Sequence, residues 1–354
     1  MYITDLFSAK KVAEVYTEAG SNKIEYLGKA FFSPKKKMGL DLSWIVGHKG
    51  LPVTLKASSF DTVSTIRTRE GVSLTETQMA YFKESMIIKE KDEQDILRLV
   101  DSNDPYAPSV VARIFDDANT LLDGAEVIPE RMIWSLLAPA NNGKPAISIA
   151  FDNATYDYDY DPDGSWASSN YTALTGESAW TDATNADPIS DLATVITDAQ
   201  ANGAIPKYVV MNTVTLGKML ASAKVKAMVL AQNATANVIM NKARVAELLE
   251  SELGLTLITY DKQFKNESNV ATKFLPDAYV SILPEGELGN TWYGTTPAER
   301  LKLAKPEADV ELVDGRVAVQ VSVSEDPVQT KTTVSEICLP SFERINEVYC
   351  IKAY

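Results

Sequence analysis

The stretch DPYAPSVVARIFDDANTLLDGAEVIPERMIWSLLA, residues 104–138, decides how the rest of the chain is read. Val110, Ile114, Ala118, Leu121, Ala125, Ile128, Met132 and Leu136 recur at three- and four-residue steps, the period of a single helix face. Asp104-Pro105 opens the run. The spacing predicts a helix of about 30 residues, about 45 Å long, longer than a small domain is wide. Pro129 falls inside it and is expected to kink or split it.

Toward the N-terminus, Asp92 to Val100 reads as a short helix. Residues 41–91 read as extended. Leu51-Pro-Val-Thr-Leu-Lys and Thr62-Val-Ser-Thr-Ile-Arg-Thr alternate apolar and polar positions, Met86-Ile-Ile-Lys is a third short strand, and Gly71 sits at a turn. A polar, two-sided hairpin has too little apolar surface to bury by itself, so this segment is expected to lie on something else, such as another subunit. Residues 1–40 read as a short helix carrying Val12, Val15 and Tyr16, then an extended arm after Ser33-Pro34.

Toward the C-terminus the material changes. Asn141-Asn-Gly-Lys is a turn and Ala146-Ile-Ser-Ile-Ala-Phe a strand. Residues 151–187 then carry eight acidic residues and no Lys or Arg, which reads as a solvent-facing hairpin and loop. Residues 187–300 read as an α/β subdomain. Asp187-Pro188 caps a helix striped by Ile189, Leu192, Val195, Ile196 and Ala199, and Gly203 ends it. Tyr208-Val-Val-Met is a strand, a helix covers about 213–222, and another runs from near Asn241 to Gly254. Leu255 to Tyr260 and Tyr279 to Leu283 are strands. In the tail, Asp314-Gly315 between Val310-Glu-Leu-Val and Arg316-Val-Ala-Val-Gln-Val predicts a two-residue hairpin turn, and Glu347 to Lys352 forms the last strand.

Composition excludes several functions. The 354 residues hold 34 Lys and Arg against 48 Asp and Glu, a formal charge of −14, which argues against gripping nucleic acid phosphates or an anionic membrane. The single histidine, His48, and two cysteines, Cys338 and Cys350, remove His-rich metal sites, ordinary Ser-His-Asp triads and disulfide scaffolds. Both cysteines fall on C-terminal strands and read as buried reduced thiols. No phosphate loop, dinucleotide fingerprint or nucleophile elbow appears, and Leu216-Gly217-Lys218 lacks the upstream Gly of the first. The reading is of a protein that is no enzyme and holds no cofactor. One metal-like pattern stands out. Asp159-x-Asp161-x-Asp163-Gly164 matches the start of a calcium loop, but Asn170 occupies the place of the bidentate Glu. A solvated acidic turn is favoured. Lys35, Lys36 and Lys37 read as a solvated arm or a salt-bridging strip. The start, Met1-Tyr-Ile-Thr-Asp-Leu-Phe-Ser, lacks the pattern of a signal peptide, and no apolar run reaches membrane length, so the chain is expected to stay in the cytoplasm that makes it.

The order arm, two-sided hairpin, very long helix, α/β subdomain and terminal strands resembles the lambda-type "major capsid protein E" family of tailed bacteriophages. The stretch that carries most of the resemblance is Phe274-Leu-Pro-Asp-Ala-Tyr-Val-Ser-Ile-Leu-Pro-Glu-Gly-Glu-Leu-Gly-Asn-Thr-Trp-Tyr-Gly-Thr-Thr-Pro-Ala-Glu. In it a strand ends at an apolar-Pro step and a Leu-Gly-x-Thr-x-Tyr-Gly segment follows. Leu339-Pro-Ser-Phe-Glu-Arg-Ile-Asn-Glu-Val-Tyr-Cys-Ile is similar to the family's closing segment, and Leu42-x-x-Ile45-x-Gly47, with Arg67 and Arg69 beyond, to its entry into the hairpin.

The resemblance implies an α+β, HK97-like phage capsid fold. It implies an N-terminal arm over 1–40, an extended loop over 41–91, and a spine helix with the start of a peripheral domain over 92–150. An acidic hairpin at 151–186, an axial domain at 187–300 and strands returning to the peripheral domain at 301–354 complete it. It implies hexamers and pentamers closing into an icosahedral shell around double-stranded DNA, assembled in the bacterial cytoplasm and found in the virion, with scaffold, portal and decoration proteins as further partners. Lys35, Lys36, Lys37, Lys56, Arg67 and Arg69 are the candidate inter-subunit contacts. An encapsulin-like compartment and a calcium-binding surface protein are the alternatives. The charge fits the first reading. Residues 1–91 hold 14 basic against 10 acidic residues, so the acidity is confined to 92–354. A mildly basic arm and loop would meet the acidic body of a neighbour.

Overall fold

The computed structural model describes residues 7–18, 25–46, 73–101, 107–151, 154–232, 240–325 and 328–354. His48, Lys56, Arg67, Arg69, Gly71 and the first two strands expected in the loop lie outside them. The chain divides into two compact units. The first is Met1–Ser43, Glu76–Arg131 and Asn290–Ser341, and the second is Trp44–Thr75, Met132–Gly289 and Phe342–Tyr354.

The long helix is a single element, Ala107–Leu137, of 31 residues. It is not split at Pro129. Loss of one N–H is tolerated here because the apolar face continues on both sides of the proline: Ala118, Leu121, Leu122 and Ala125 are buried in the first unit, and Met132, Ile133, Leu136 and Leu137 in the second. The helix before it runs Glu90–Asp101.

The first unit is built on a six-stranded sheet. Its path is Phe32–Lys36, Gly289–Tyr293, Val328–Ser341, Val317–Glu325 and Val310–Val313, and Ala80–Ile88 also pairs with Val328–Ser341. That 14-residue strand is the sheet's backbone. Val317–Glu325 pairs along it from Ala318↔Ser335 to Glu325↔Val328, and Ala80–Ile88 from Ala80↔Cys338 to Ile88↔Thr330. The last strand of the expected hairpin is thus zipped into the chain's own sheet, because Met86 and Ile88 add to an apolar face that the terminal strands already bury. That face, with Val317, Val319, Val321 and Val334, packs against Leu121, Leu122 and Ala125 of the long helix and against Val12, Ala13 and Tyr16 of the helix Ala9–Glu18. The arm beyond that helix is not free either. Phe32–Lys36 forms an edge strand, a place where Pro34 costs no ladder bond. Asp314 and Gly315 take φ of 50° and 68°, as the Asp-Gly turn requires. Pairing ends at Val313↔Val317, however, so the turn takes in Arg316 as well and frees its side chain.

The second unit carries a five-stranded mixed sheet in the order Tyr171–Ala173, Tyr349–Lys352, Tyr279–Pro284, Pro206–Met211, Thr256–Thr259. The outer pairings are parallel and the inner ones antiparallel. Helices Pro188–Ala201, Thr213–Ala221 and Lys242–Leu253 supply Leu192, Ala199, Leu216, Met219, Val245 and Leu248 to its core. Each begins on a capping side chain: Asp187, Asn212 and Asn241 accept the N–H of Ser190, Thr215 and Arg244. Such caps contribute about 1 kcal/mol each. The helix Ala223–Gln232 was not legible, because no apolar stripe marks its 10 residues.

The acidic stretch differs from its expected solvent-facing state. It holds the strand Ala154–Asp159 paired with Ala146–Phe151, the short helix Ser165–Ser169 and the edge strand Tyr171–Ala173. Trp166 and Trp180 are buried, with their indole N–H groups donating to Ile345 O and Asp191 Oδ2. Two large aromatic side chains outweigh the surrounding charge.

Candidate functional site

The three lysines of the arm lie where the Leu288-Gly-Asn-Thr-Trp-Tyr-Gly294 segment passes. Lys36 Nζ donates to Glu299 Oε1 and Oε2 at 2.8 and 2.9 Å and to Gly315 O at 2.9 Å. The Lys35 ammonium stands 5.8 Å from the Trp292 ring centroid, and the Lys37 backbone N–H donates to Tyr293 O at 2.8 Å. The strip therefore makes contacts within its own chain, those of Lys36 being ionic. The turn that follows is open. Met38 is 89% exposed, Leu40 is exposed, and Gly39 between them has a φ of 91°. Gly294 permits the backbone to close behind this turn. A Cβ there would lie 2.7 Å from Ile337 Cγ2 and 2.8 Å from Gly39 O.

Beneath the strip the first unit holds an ionic cluster. Arg316, released by its turn, places Nη2 3.2 Å from Glu126 Oε1 and 3.2 Å from Asp314 Oδ2, and its Nη1 donates to Tyr293 OH at 3.3 Å. Lys29 pairs with the other Glu126 oxygen. Glu130, one helical turn on, accepts the Gly28 N–H on both carboxylate oxygens at 3.0 Å. A cleft of about 380 Å³ opens beside the cluster, lined by Tyr16, Glu25, Tyr26, Lys29, Asp123, Glu126 and Asp314.

Charge balance inside this cluster is unusual. Glu336 is 1% exposed, and its hydrogen bond among the described residues comes from Cys338 Sγ at 3.5 Å. Burial, then the Glu126 charge, push its carboxyl up to about 8, against the lesser pull of Arg316 and Lys29. Burial and the neighbouring Glu336 raise the Cys338 thiol well above its ordinary value. Burial, then Asp123, raise Tyr26 to about 12, and the same causes raise Tyr16, whose hydroxyl donates to Asp123 Oδ1. Burial works against the charge of Arg316, but Tyr293 and Glu126 outweigh it and hold the guanidinium charged. Such a cluster can lock a helix to a sheet and store a proton. Sequence reading missed it. The available signals were Glu126 and Glu130 at helical spacing among apolar positions, and a lone Glu inside Val334-Ser-Glu-Ile-Cys-Leu.

The three aspartates of the calcium-like pattern are turned to backbone amides. Asp159 Oδ1 accepts the Asp161 N–H at 2.8 Å. Asp161, 2% exposed, accepts the N–H groups of Trp166 and Ala167, both at 2.9 Å. Asp163 accepts the N–H and hydroxyl of Ser165, which lower its carboxyl pKa. They cap the helix Ser165–Ser169. Among the described residues no group of three or more His, Cys, Asp or Glu side chains is placed to hold a metal ion. Cys338 and Cys350 are buried free thiols. No described helix is long and apolar enough to cross a membrane.

A long helix crossing under a sheet of terminal strands, an arm strand at that sheet's edge and a separate α/β unit together make the α+β, HK97-like fold of phage capsid proteins. Solved structures share it. A prophage protein of E. coli CFT073, assigned as its capsid protein, superposes with a TM-score of 0.59 at 14% identity, covering 98% of this chain and 99% of that one. A phage-related protein from Bordetella bronchiseptica RB50 superposes with a TM-score of 0.53 at 14% identity, covering 96% of each. No curated protein sequence matches the chain. Residues 11–353 match the phage major capsid protein E family, and the chain belongs to that family. It is a structural shell subunit of a phage or prophage and a virion component, in a family that forms homo-oligomeric shells and is not enzymatic. That match favours a phage shell over an encapsulin-like compartment.

Proposed function

We propose that the chain assembles as hexamers and pentamers into an icosahedral shell that encloses packaged double-stranded DNA, and that it does so in the host cytoplasm. The observation that carries this reading is the family match, which runs from residue 11 to residue 353 and so takes in every segment of the chain's architecture. In this reading residues 1–40 and 41–91 reach over neighbouring subunits, and 92–150 and 301–354 build the peripheral domain. Residues 187–300 stand around the capsomer axes, with the acidic segment 151–186 beside them. The open turn at Met38 and Leu40 supports it, since a large apolar side chain left 89% exposed is a surface a neighbour would cover. A wall of net charge −14 holds DNA without gripping it, so the DNA stays free to be packed and released. Scaffold, portal and decoration proteins would join as separate chains.

The test is negative-stain microscopy of the purified chain at low and high salt. Shells or capsomers are expected, in smaller yield at high salt because the basic segment 1–91 meets acidic surface. A chain that stays a dispersed monomer under all these conditions would sink the proposal.

A further inference from the structure

Charge in the second unit comes in blocks. Residues 145–198 hold ten Asp and Glu and no Lys or Arg, while residues 199–246 hold five Lys and one Arg and no Asp or Glu. The sheet separates parts of these blocks. Tyr171–Ala173, from the acidic block, is one edge strand, and Thr256–Thr259 is the other. The second edge is flanked by the helix Lys242–Leu253, whose first turn carries Lys242 and Arg244. Four strand spacings put the two edges about 19 Å apart.

The blocks do little to neutralise each other. Among the described residues the ion pair between them is Lys224 with Asp187 at 3.5 Å. Lys226 Nζ donates to Ala221 O and Lys242 Nζ to Thr259 Oγ1, both uncharged partners. Asp157, Asp163 and Glu177 are exposed on the acidic side, and Lys226 and Lys242 on the basic side.

We infer that this unit docks head to tail on a second copy of the chain, the acidic edge bearing Asp157, Asp163 and Glu177 meeting the basic edge bearing Lys226 and Lys242. The inference deepens the shell reading and rests on it. Each docking leaves one unlike edge open at either end, so contacts propagate and close into a ring when the rotation permits. The same helix favours a protein over DNA as the occupant. Glu247 and Glu250 stand exposed on it beyond Lys242, and they would repel a long polyanion but tolerate a short acidic edge.

Three variants test it: Lys226→Glu with Lys242→Glu, Asp157→Lys with Asp163→Lys, and all four together. Analytical ultracentrifugation reads the assembled fraction at low salt, and thermal melting confirms that each subunit is folded. Each two-site reversal is expected to cut assembly roughly tenfold or more, since like charges then face each other. The fourfold swap, and an equimolar mixture of the two reversals, are expected to restore it. Where a reversal does not fold, Lys226→Gln with Lys242→Gln gives a smaller loss in the same direction. Reversals that assemble like the wild type, or lysine reversals that lose only bound nucleic acid, overturn the head-to-tail contact and leave the shell reading standing. A wild type that never assembles overturns the shell reading itself.

Discussion

Replacing Glu336 by Gln removes a proton-linked cost from the first unit, and its size can be worked out. The buried carboxyl keeps its proton to about pH 8, where an ordinary Glu releases it near 4.5. Below pH 4.5 both the folded and unfolded chains hold this proton, and the group costs nothing. Between 4.5 and 8 the unfolded chain releases a proton that the folded chain keeps. Stability then falls as pH rises, by about 1.4 kcal/mol per pH unit. Above pH 8 both forms are ionised and the loss levels off, at up to about 5 kcal/mol. Gln has the same shape, stays neutral, and can still accept from Cys338. The variant should match the wild type within about 1 kcal/mol at pH 5 and exceed it by about 3 kcal/mol at pH 7. At pH 9 the excess should approach the full value. Urea unfolding of dissociated subunits at these three pH values measures the gap. A gap that does not widen with pH, or a variant weaker than the wild type at pH 9, refutes the claim that Glu336 is buried without a sufficient cation.

Two further changes probe other parts of the fold. Gly294→Ala should destabilise the first unit by about 1–3 kcal/mol, because the new methyl meets Ile337 and the Gly39 carbonyl; an unchanged urea midpoint would show that the turn at Gly39 yields. Asp161→Asn should cost about 1–3 kcal/mol by setting an amide N–H against that of Ala167, while millimolar calcium should leave the wild-type melting temperature unmoved; a calcium-dependent rise would mean the carboxylates face a cation after all.

The sequence by itself determined the elements whose signal is local. The 3.6-residue period of Val110 to Leu136 specified the long helix. Asp187-Pro188, Asn241, Gly254 and Asp314-Gly315 marked the ends and turns they occupy, because caps and positive-φ positions depend on a few adjacent residues. The family was legible in the 274–299 stretch, and the structure supplies a physical reason at two positions. Gly294 is where backbone must pass close, and Tyr293 is where Arg316 is held. Tertiary structure decided everything that depends on distant pairing. Ala80–Ile88 lies in the chain's own sheet because Val328–Ser341, some 250 residues on, offers it a partner. Asp161 caps a helix instead of facing a cation because Trp166 is drawn into the core and brings its amide along. The Glu126–Arg316–Glu336 cluster draws on one helix, one turn and one strand, and no window of sequence holds all three. Burial, which sets the charge state of Glu336, exists only once those three elements have packed.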